Sequence, residues 1–276
     1  MDQEFEDKIA VVTGAAQGLG LGIVERLAGD GADVIIADVQ QEKAESAAQA
    51  LKGKGLSVMA SALDVGDSQA VDRFFDALID QRGRLDILVN SAGVGQTVTH
   101  TVDLSDDEWE RVIHITLTGT FYCCRAAGRI MEKQESGCIV NLASINGQSP
   151  AALVAGYNVA KAGVISLTKT LALELAACGV RVNAVSPGPV YTEFNRRNMA
   201  QRCESLNISE EEMVERVRAS IPLGRWGEPT DIADGVAFLC SSASSWMTGE
   251  VLRVSGGLAG VSATPPKRQS KPATSL

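Results

Sequence analysis

The chain has 276 residues, 45% of them hydrophobic, 21% charged and only 4% aromatic. That length can bury roughly three quarters of the unfolded surface, and the composition excludes disordered, collagen-like and disulfide-scaffold classes. No apolar stretch approaches the ~20 residues of a membrane span, and residues 1–7 are acidic, unlike a secretory signal.

Charge narrows the partners. There are 25 basic against 34 acidic residues, a net −9, and the tail holds Lys267, Arg268 and Lys271 without an acid. Residues 1–261 therefore carry 22 basic against 34 acidic groups, which disfavours nonspecific binding to nucleic acid or anionic lipid. Cys123, Cys124, Cys138, Cys178, Cys203 and Cys240 show no Cys-x-x-Cys spacing. Free thiols and a cytoplasmic location are expected. His100 and His114 are too few and too scattered for a His-based metal site, so no metal is expected.

In chain order, strands are predicted at 8–13, 33–38, 57–63, 85–90, 137–144, 181–186 and 251–254. Several are continuously apolar, such as Ile9 to Val12 and Ile87 to Val89, as expected when helices cover both faces of a sheet. Helical patterns fall between them. Val71, Phe74, Phe75, Leu78 and Ile79 recur at the spacing of one buried face. Ser105 with Glu108, and Ser209 with Glu212, have the spacing of capping boxes. Alternating strands and helices predict a doubly wound parallel α/β sheet in one domain. Residues 188–222 are polar, with one capped helix expected from about Ser209, and an insertion of that length is usually functional. Residues 262–276 are rich in Pro, Ser, Thr and Lys, and disorder is expected there.

Gly14, Gln17, Gly18, Leu19 and Gly20 follow the first strand and open a helix. Glycines let the backbone approach a pyrophosphate, and a helix N-terminus offers free N–H groups with a positive dipole end. Asp38 ends the second strand, 18 residues after Gly20. Its carboxylate can accept from both ribose hydroxyls of adenosine and would repel a 2′-phosphate. Gln17 and Val39 supply no cation for such a phosphate, so the cofactor expected is NAD. Asp64 with Val65, after the third strand, is a weaker signal that would also suit a turn.

Tyr157 and Lys161 are four residues apart on a predicted helix and share a face. Ser144 ends the fifth strand, 13 residues before Tyr157. Together they suit hydride transfer. A proton acceptor must stand near the carbinol oxygen, and free Tyr, with a pKa of about 10, is a poor base at neutral pH. A neighbouring ammonium such as Lys161 would favour the phenolate, and Ser144 could hold and polarise the substrate oxygen.

These residues resemble those of the short-chain dehydrogenase/reductase family over residues 5–260. The matching motifs are Thr13-Gly14-x3-Gly18-x-Gly20, Asp64, Asn90-Ser-Ala92-Gly93, Ser144, Tyr157-x3-Lys161, Arg181-Val-Asn183, Pro187-Gly188-Pro-Val190-x-Thr192 and the run Ile221 to Pro229. The resemblance implies a Rossmann-type sheet of seven strands over residues 1–261. Asp64 and Val65 would flank adenine, and Asn90, Ala92 and Gly93 would line the cofactor groove. Lys161 would also bind the nicotinamide ribose. Pro187, Gly188, Val190 and Thr192 would hold the nicotinamide, and residues 188–222 would form a mobile loop over the substrate. A homodimer or homotetramer built on the helix carrying Tyr157 is implied as well.

There are departures. Thr116 stands where the family has a catalytic asparagine that supports a water chain from Lys161; a hydroxyl lacks the paired donor and acceptor of an amide. Ser91 and Ser255 replace a usual Asn and Asp. His114 reads as a satisfied or surface histidine, Cys123 and Cys124 as core packing, and Arg196 with Arg197 as solvated loop cations. Asn146, Gln148 and Asn195 could present polar groups to a substrate, with Phe194 and Trp226 as apolar walls, which suits a sugar, polyol or other small hydroxy compound. The function expected is NAD-dependent oxidation of a secondary alcohol. The alternatives are an NADPH-dependent ketone reductase resembling 3-oxoacyl carrier-protein reductases, and a non-catalytic NAD-binding sensor or scaffold.

Overall fold

Runs of aliphatic residues become the seven strands of a single sheet: β1 (Ile9–Thr13), β2 (Asp33–Asp38), β3 (Val58–Ala62), β4 (Ile87–Asn90), β5 (Gly137–Leu142), β6 (Val180–Pro187) and β7 (Val251–Val254). The computed structural model describes residues 4–206 and 208–260, so the tail expected to be disordered lies outside the described residues. All neighbouring strands run parallel, in the order β3-β2-β1-β4-β5-β6-β7. β2 and β7 match the predicted bounds. β5 stops at Leu142, short of the expected 144, because Ser144 instead caps the next helix.

Parallel neighbours need crossovers, and helices supply them: α1 (Gly18–Gly29), α2 (Gln41–Lys52), α3 (Ser68–Arg82), α4 (Asp106–Ile113), α5 (Gly119–Gln134), α6 (Ile145–Gln148), α7 (Ala155–Leu175), α8 (Glu193–Leu206), α9 (Glu210–Ser220) and α10 (Pro229–Cys240). Successive strand residues point to opposite faces. Val12, Ile36, Val89 and Val140 enter one core with Ile23, Leu27 and Ile232. Val11, Ile35, Leu88 and Ile139 enter the other with Phe75, Leu78 and Met131. Each such side chain contributes about 1.5–3 kcal/mol when fully buried. The continuous apolar runs are thereby explained.

Ser105 and Ser209 do cap α4 and α9, accepting from the N–H of Glu108 (3.3 Å) and of Glu212 (3.1 Å). The glutamates turn elsewhere, Glu108 to Arg111 and Thr97, Glu212 to Arg216. Residues 188–222 differ from expectation, because α8 precedes the predicted α9. Its sequence is mostly polar, with Phe194, Met199, Cys203 and Leu206 among many charged and amide residues, and Met199 is its buried anchor among the described side chains, so the apolar signal is weak. Between α4 and α5 the chain loosens into a π-turn, His114–Thr118, where the N–H of Gly119 reaches back to the carbonyl of His114. Such turns recur at functional sites.

The sheet reverses its winding between β1 and β4. The crevice beyond the C-terminal ends of these strands is where ligands bind in doubly wound folds, and the predicted site residues cluster there.

Candidate active site

The cradle is built by close backbone approach. Gly14 has φ +63°, and a Cβ there would fall 2.5 Å from Cα of Ala92; a Cβ on Gly20 would fall 2.5 Å from the carbonyl of Gly14. The Thr13 hydroxyl accepts from the N–H groups of Ser91 and Ala92, both at 3.2 Å, which ties β1 to the segment after β4. Gln17 precedes α1 in extended backbone and offers its N–H groups no side-chain cap. First-turn N–H groups have no intrahelical partner. An uncapped helix start behind glycines that no side chain can fill fits a dinucleotide pyrophosphate.

Asp38 is buried at the end of β2. One oxygen accepts from Ala16 N–H in the glycine loop (3.0 Å), the other from Gln40 N–H (2.9 Å). A carboxylate accepts about four hydrogen bonds, so acceptor sites remain for ribose hydroxyls. Gln17 and Val39 by themselves predict no cation here. The fold brings the ammonium of Lys43, on α2, onto the side-chain oxygen of Gln17, so a cation does stand at the edge of this cradle. Its distance in sequence from both glycine loop and Asp38 concealed it. Asp64 is exposed and accepts from Gly66 N–H (2.8 Å), the turn reading of that residue, while Val65 is buried. The side chain of Asn90 donates to Asn141 (2.8 Å) and to the Cys124 sulfur (3.3 Å) within the core. Ala92 and Gly93 remain at the mouth.

Across the groove, β6 ends at Pro187, and Gly188 N–H bonds to the Val254 carbonyl (2.9 Å). Val190 is buried and bridges Gly227. A Cβ on Gly18 would meet the Thr192 methyl at 4.0 Å, so the segment expected to hold nicotinamide faces the phosphate cradle.

Three elements bring the catalytic candidates together. Ser144 caps α6, its hydroxyl accepting from Asn146 N–H (3.1 Å), and hydrogen-bonds the phenol of Tyr157. Gly147 lets α6 lie on α7, since a Cβ there would fall 2.7 Å from the carbonyl carbon of Lys161. The Lys161 ammonium donates to the Leu142 carbonyl (2.6 Å) and lies 5.9 Å from the Tyr157 ring centroid. Thr116, in the π-turn, joins them: a Cβ on Gly93 would be 3.6 Å from its hydroxyl oxygen and 3.7 Å from Nζ of Lys161.

The electrostatics differ from the sequence expectation. Burial raises the pKa of Tyr157, and the hydrogen bond from Ser144 opposes the rise. Burial also lowers Lys161 to about 8. In the protein alone the phenol is therefore neutral, and the group that lowers its pKa is Ser144. Desolvation of the anion is the larger influence, and the Lys161 ammonium is engaged with the Leu142 carbonyl instead.

The family described as Enoyl-(Acyl carrier protein) reductase matches residues 14–259. The chain belongs to the short-chain dehydrogenase/reductase family. The 3-oxoacyl-[acyl-carrier-protein] reductase FabG of Chlamydia pneumoniae is 36% identical over 258 residues, 94% of this chain and 99% of that protein. Among solved structures, NAD+-bound xylitol dehydrogenase matches with TM-score 0.87 and 33% identity, over 92% of this chain and 99% of that one. An actinorhodin polyketide ketoreductase with NADPH matches with TM-score 0.89 and 32% identity, over 95% and 100%. As a short-chain dehydrogenase/reductase, the protein is an oxidoreductase that binds a nicotinamide cofactor.

Substrate-side expectations divide. Phe194, on α8, stands 6.1 Å from Tyr157 between ring centroids, so it does reach the site. Asn146 is half-buried beside Ser144, whereas Gln148 is exposed. Asn195 instead donates to the Val190 carbonyl (2.6 Å) and secures the segment. Trp226 packs edge-on against Tyr191 at 5.6 Å and donates to the Val214 carbonyl, bracing α9 rather than walling the site. Arg196 pairs with Glu193 and Glu210, and the side chain of Arg197 lies outside the described residues. His114 is exposed over Gly66, and burial pushes Cys124 up to about 12 and Cys123 higher still. Among the described residues no three His, Cys, Asp or Glu side chains gather as around a metal, and no helix is long and apolar enough to cross a membrane.

Proposed function

We propose that this enzyme oxidises a small secondary alcohol to the ketone with NAD. The observation that carries the reading is the meeting of Ser144, Tyr157 and Lys161 beside the glycine loop. Asp38 supports NAD as the cofactor, because a carboxylate at the ribose corner repels a 2′-phosphate. When bound, NAD supplies the hydride acceptor. The remaining tasks fall to this chain.

The first turn of α1 would hold the pyrophosphate, Asp38 the adenosine ribose, and Gly188, Val190 and Thr192 the nicotinamide end. Ser144 donates to the reacting oxygen and fixes it against Tyr157. Tyr157 takes the carbinol proton as hydride departs, a general-base step worth about 100- to 10,000-fold. Lys161, protonated below about 8, would hold the nicotinamide ribose, while Ser144 is the group that favours the phenolate. The half-buried Asn146 and the ring of Phe194 support a polyol, sugar or similar hydroxy compound, as does the likeness to xylitol dehydrogenase. Exposed Trp109, Phe121 and Val159 on α4, α5 and α7 support a homodimer or homotetramer. Six unpaired cysteines suit a reducing, cytoplasmic setting.

The test is a panel of sugars, polyols, hydroxy acids and aryl alcohols read by NADH absorbance, on the wild type and on Tyr157→Phe. The variant is expected to lose about 100- to 10,000-fold in turnover while binding NAD as before. Unchanged turnover in the variant would take the base role away from Tyr157, and NAD binding by the wild type with no turnover across the panel would favour the sensor reading.

A second reading has its own observation. Lys43 on Gln17 gives a 2′-phosphate a partner, and the likeness to FabG supports ketone reduction with NADPH. Comparing affinities for NADH and NADPH separates the two. Tighter NADPH binding would overturn the assignment of Asp38.

A further inference from the structure

Tyr157 lies in the first turn of α7, where backbone N–H groups need partners from outside the helix. The residue before that helix, Val154, has no side-chain oxygen to offer. The cap comes instead from Gln96, about 60 residues earlier in the loop after β4. Its Oε1 accepts from Gly156 N–H (2.6 Å) and Tyr157 N–H (3.3 Å). With Ala155 as the first helical residue, these are the two N–H groups that an N-cap side chain ordinarily serves.

Gln96 is only 2% exposed, and its surroundings hold it from both sides. Its Nε2 faces the carbonyls of Thr97 and Leu153, each at 3.4 Å. Leu153 has φ +72°, a left-handed backbone that costs a residue with a side chain. Thr99 N–H donates to the same Leu153 carbonyl at 3.0 Å. The neighbours of Gln96 are tied to different elements: Val94 N–H to Thr116 (3.2 Å), the Gly95 carbonyl to Arg111 (2.7 Å), Thr97 N–H to Glu108 (2.7 Å) and Val98 N–H to Gln201 on α8 (2.8 Å).

We propose that Gln96 is a positioning residue for Tyr157, capping the catalytic helix in trans with an uncharged oxygen. The geometry sets where the Tyr157 backbone, and hence its phenol, stands. The absence of charge matters separately. Side chains in a helix tilt toward its N-terminus, so the phenol shares the positive end of the α7 dipole, which favours its anion. An anionic cap would cancel that field. The other groups facing the phenol are Lys161 on its own helix, Ser144 from the segment before α6 and Phe194 from α8. Glu108 and Arg111 pair with one another behind the loop.

The inference rests on the reading of Tyr157 as the base, and two variants test it. Gln96→Met removes the cap, and Gln96→Glu keeps an acceptor but adds charge. Both are compared with wild type and Tyr157→Phe, using NAD and the alcohol turned over fastest in the panel. Gln96→Met is expected to lower kcat ~10-fold with KM for the alcohol and affinity for NAD little changed. Gln96→Glu is expected to fold, to lose less of its plateau rate, and to move the ascending limb of the pH–rate profile up by about half a pH unit. Phenol absorbance titration, taken as wild type minus Tyr157→Phe, should show the same upward movement without any substrate. A Met variant that melts earlier but keeps its kcat, or a Glu variant whose limb and titration stay in place, overturns the proposal. If Tyr157→Phe itself turns over normally, the functional reading fails instead, and the titration still reports on the cap.

Discussion

Lys161 carries an ammonium into a site that leaves it 6% exposed. Burial lowers its pKa from 10.5 to about 8. Between those values the unfolded chain holds a proton that the folded chain lacks, so stability rises with pH across that window and is least below it. Lys161→Met should therefore melt higher than wild type at neutral pH, with the gap closing as pH nears 10.5. The gain is up to about 3 kcal/mol, reduced by the Leu142 carbonyl that loses its donor. Thermal melts at several pH values check this; a lower melting point for the variant at neutral pH would mean that the charge is net stabilising. Ser144 makes the complementary case. Its hydrogen bond lowers the Tyr157 pKa against burial, so Ser144→Ala should shift the ascending limb of alcohol oxidation to higher pH and lower kcat by about 100-fold. A limb that stays put would remove Ser144 from control of the phenol. Ser144, Tyr157 and Lys161 were readable because their chemistry lies within one strand–helix connection. Gln96 and Lys43 were not, because each acts on a partner far along the chain that only the folded crevice brings near.

At the scale of elements, the glycine loop is held by backbone against backbone. A methyl group on Gly14 would meet Ala92 Cα at 2.5 Å at a residue with φ +63°, and backbone on either side cannot give way like a side chain. Gly14→Ala should therefore cost about ten-fold or more in NAD affinity and lower the melting temperature. Gly29→Ala, at the end of α1 with nothing within 4 Å, should be neutral or stabilise by about 0.5–1 kcal/mol. Calorimetry with NAD and thermal melts would compare them; equal effects would mean that the tight approach at Gly14 is not needed. The strands were legible because burial on both faces demands unbroken aliphatic runs such as Val34 to Ala37. α8 was hidden because its few apolar residues are diluted by charged and amide side chains, and the π-turn at Thr116 because no side-chain pattern marks a looser winding.

For the whole molecule, charge is the governing quantity. The chain carries a net −9, yet the groove has to receive a dinucleotide with two anionic phosphates. What the structure offers a pyrophosphate is the uncapped backbone of α1, while the side-chain ammonium described at the cradle, that of Lys43, sits exposed on Gln17. Ionic strength should then separate the coenzymes. Raising salt from about 0.01 to 0.1 M shortens the Debye length from about 30 to 10 Å, which screens a solvent-facing ammonium and also quiets the repulsion between an acidic surface and an incoming anion. NAD affinity should stay level or improve across that range, and any NADPH affinity should decline. A steep salt-induced fall for NAD would mean that a cation, rather than the peptide backbone, grips its phosphates.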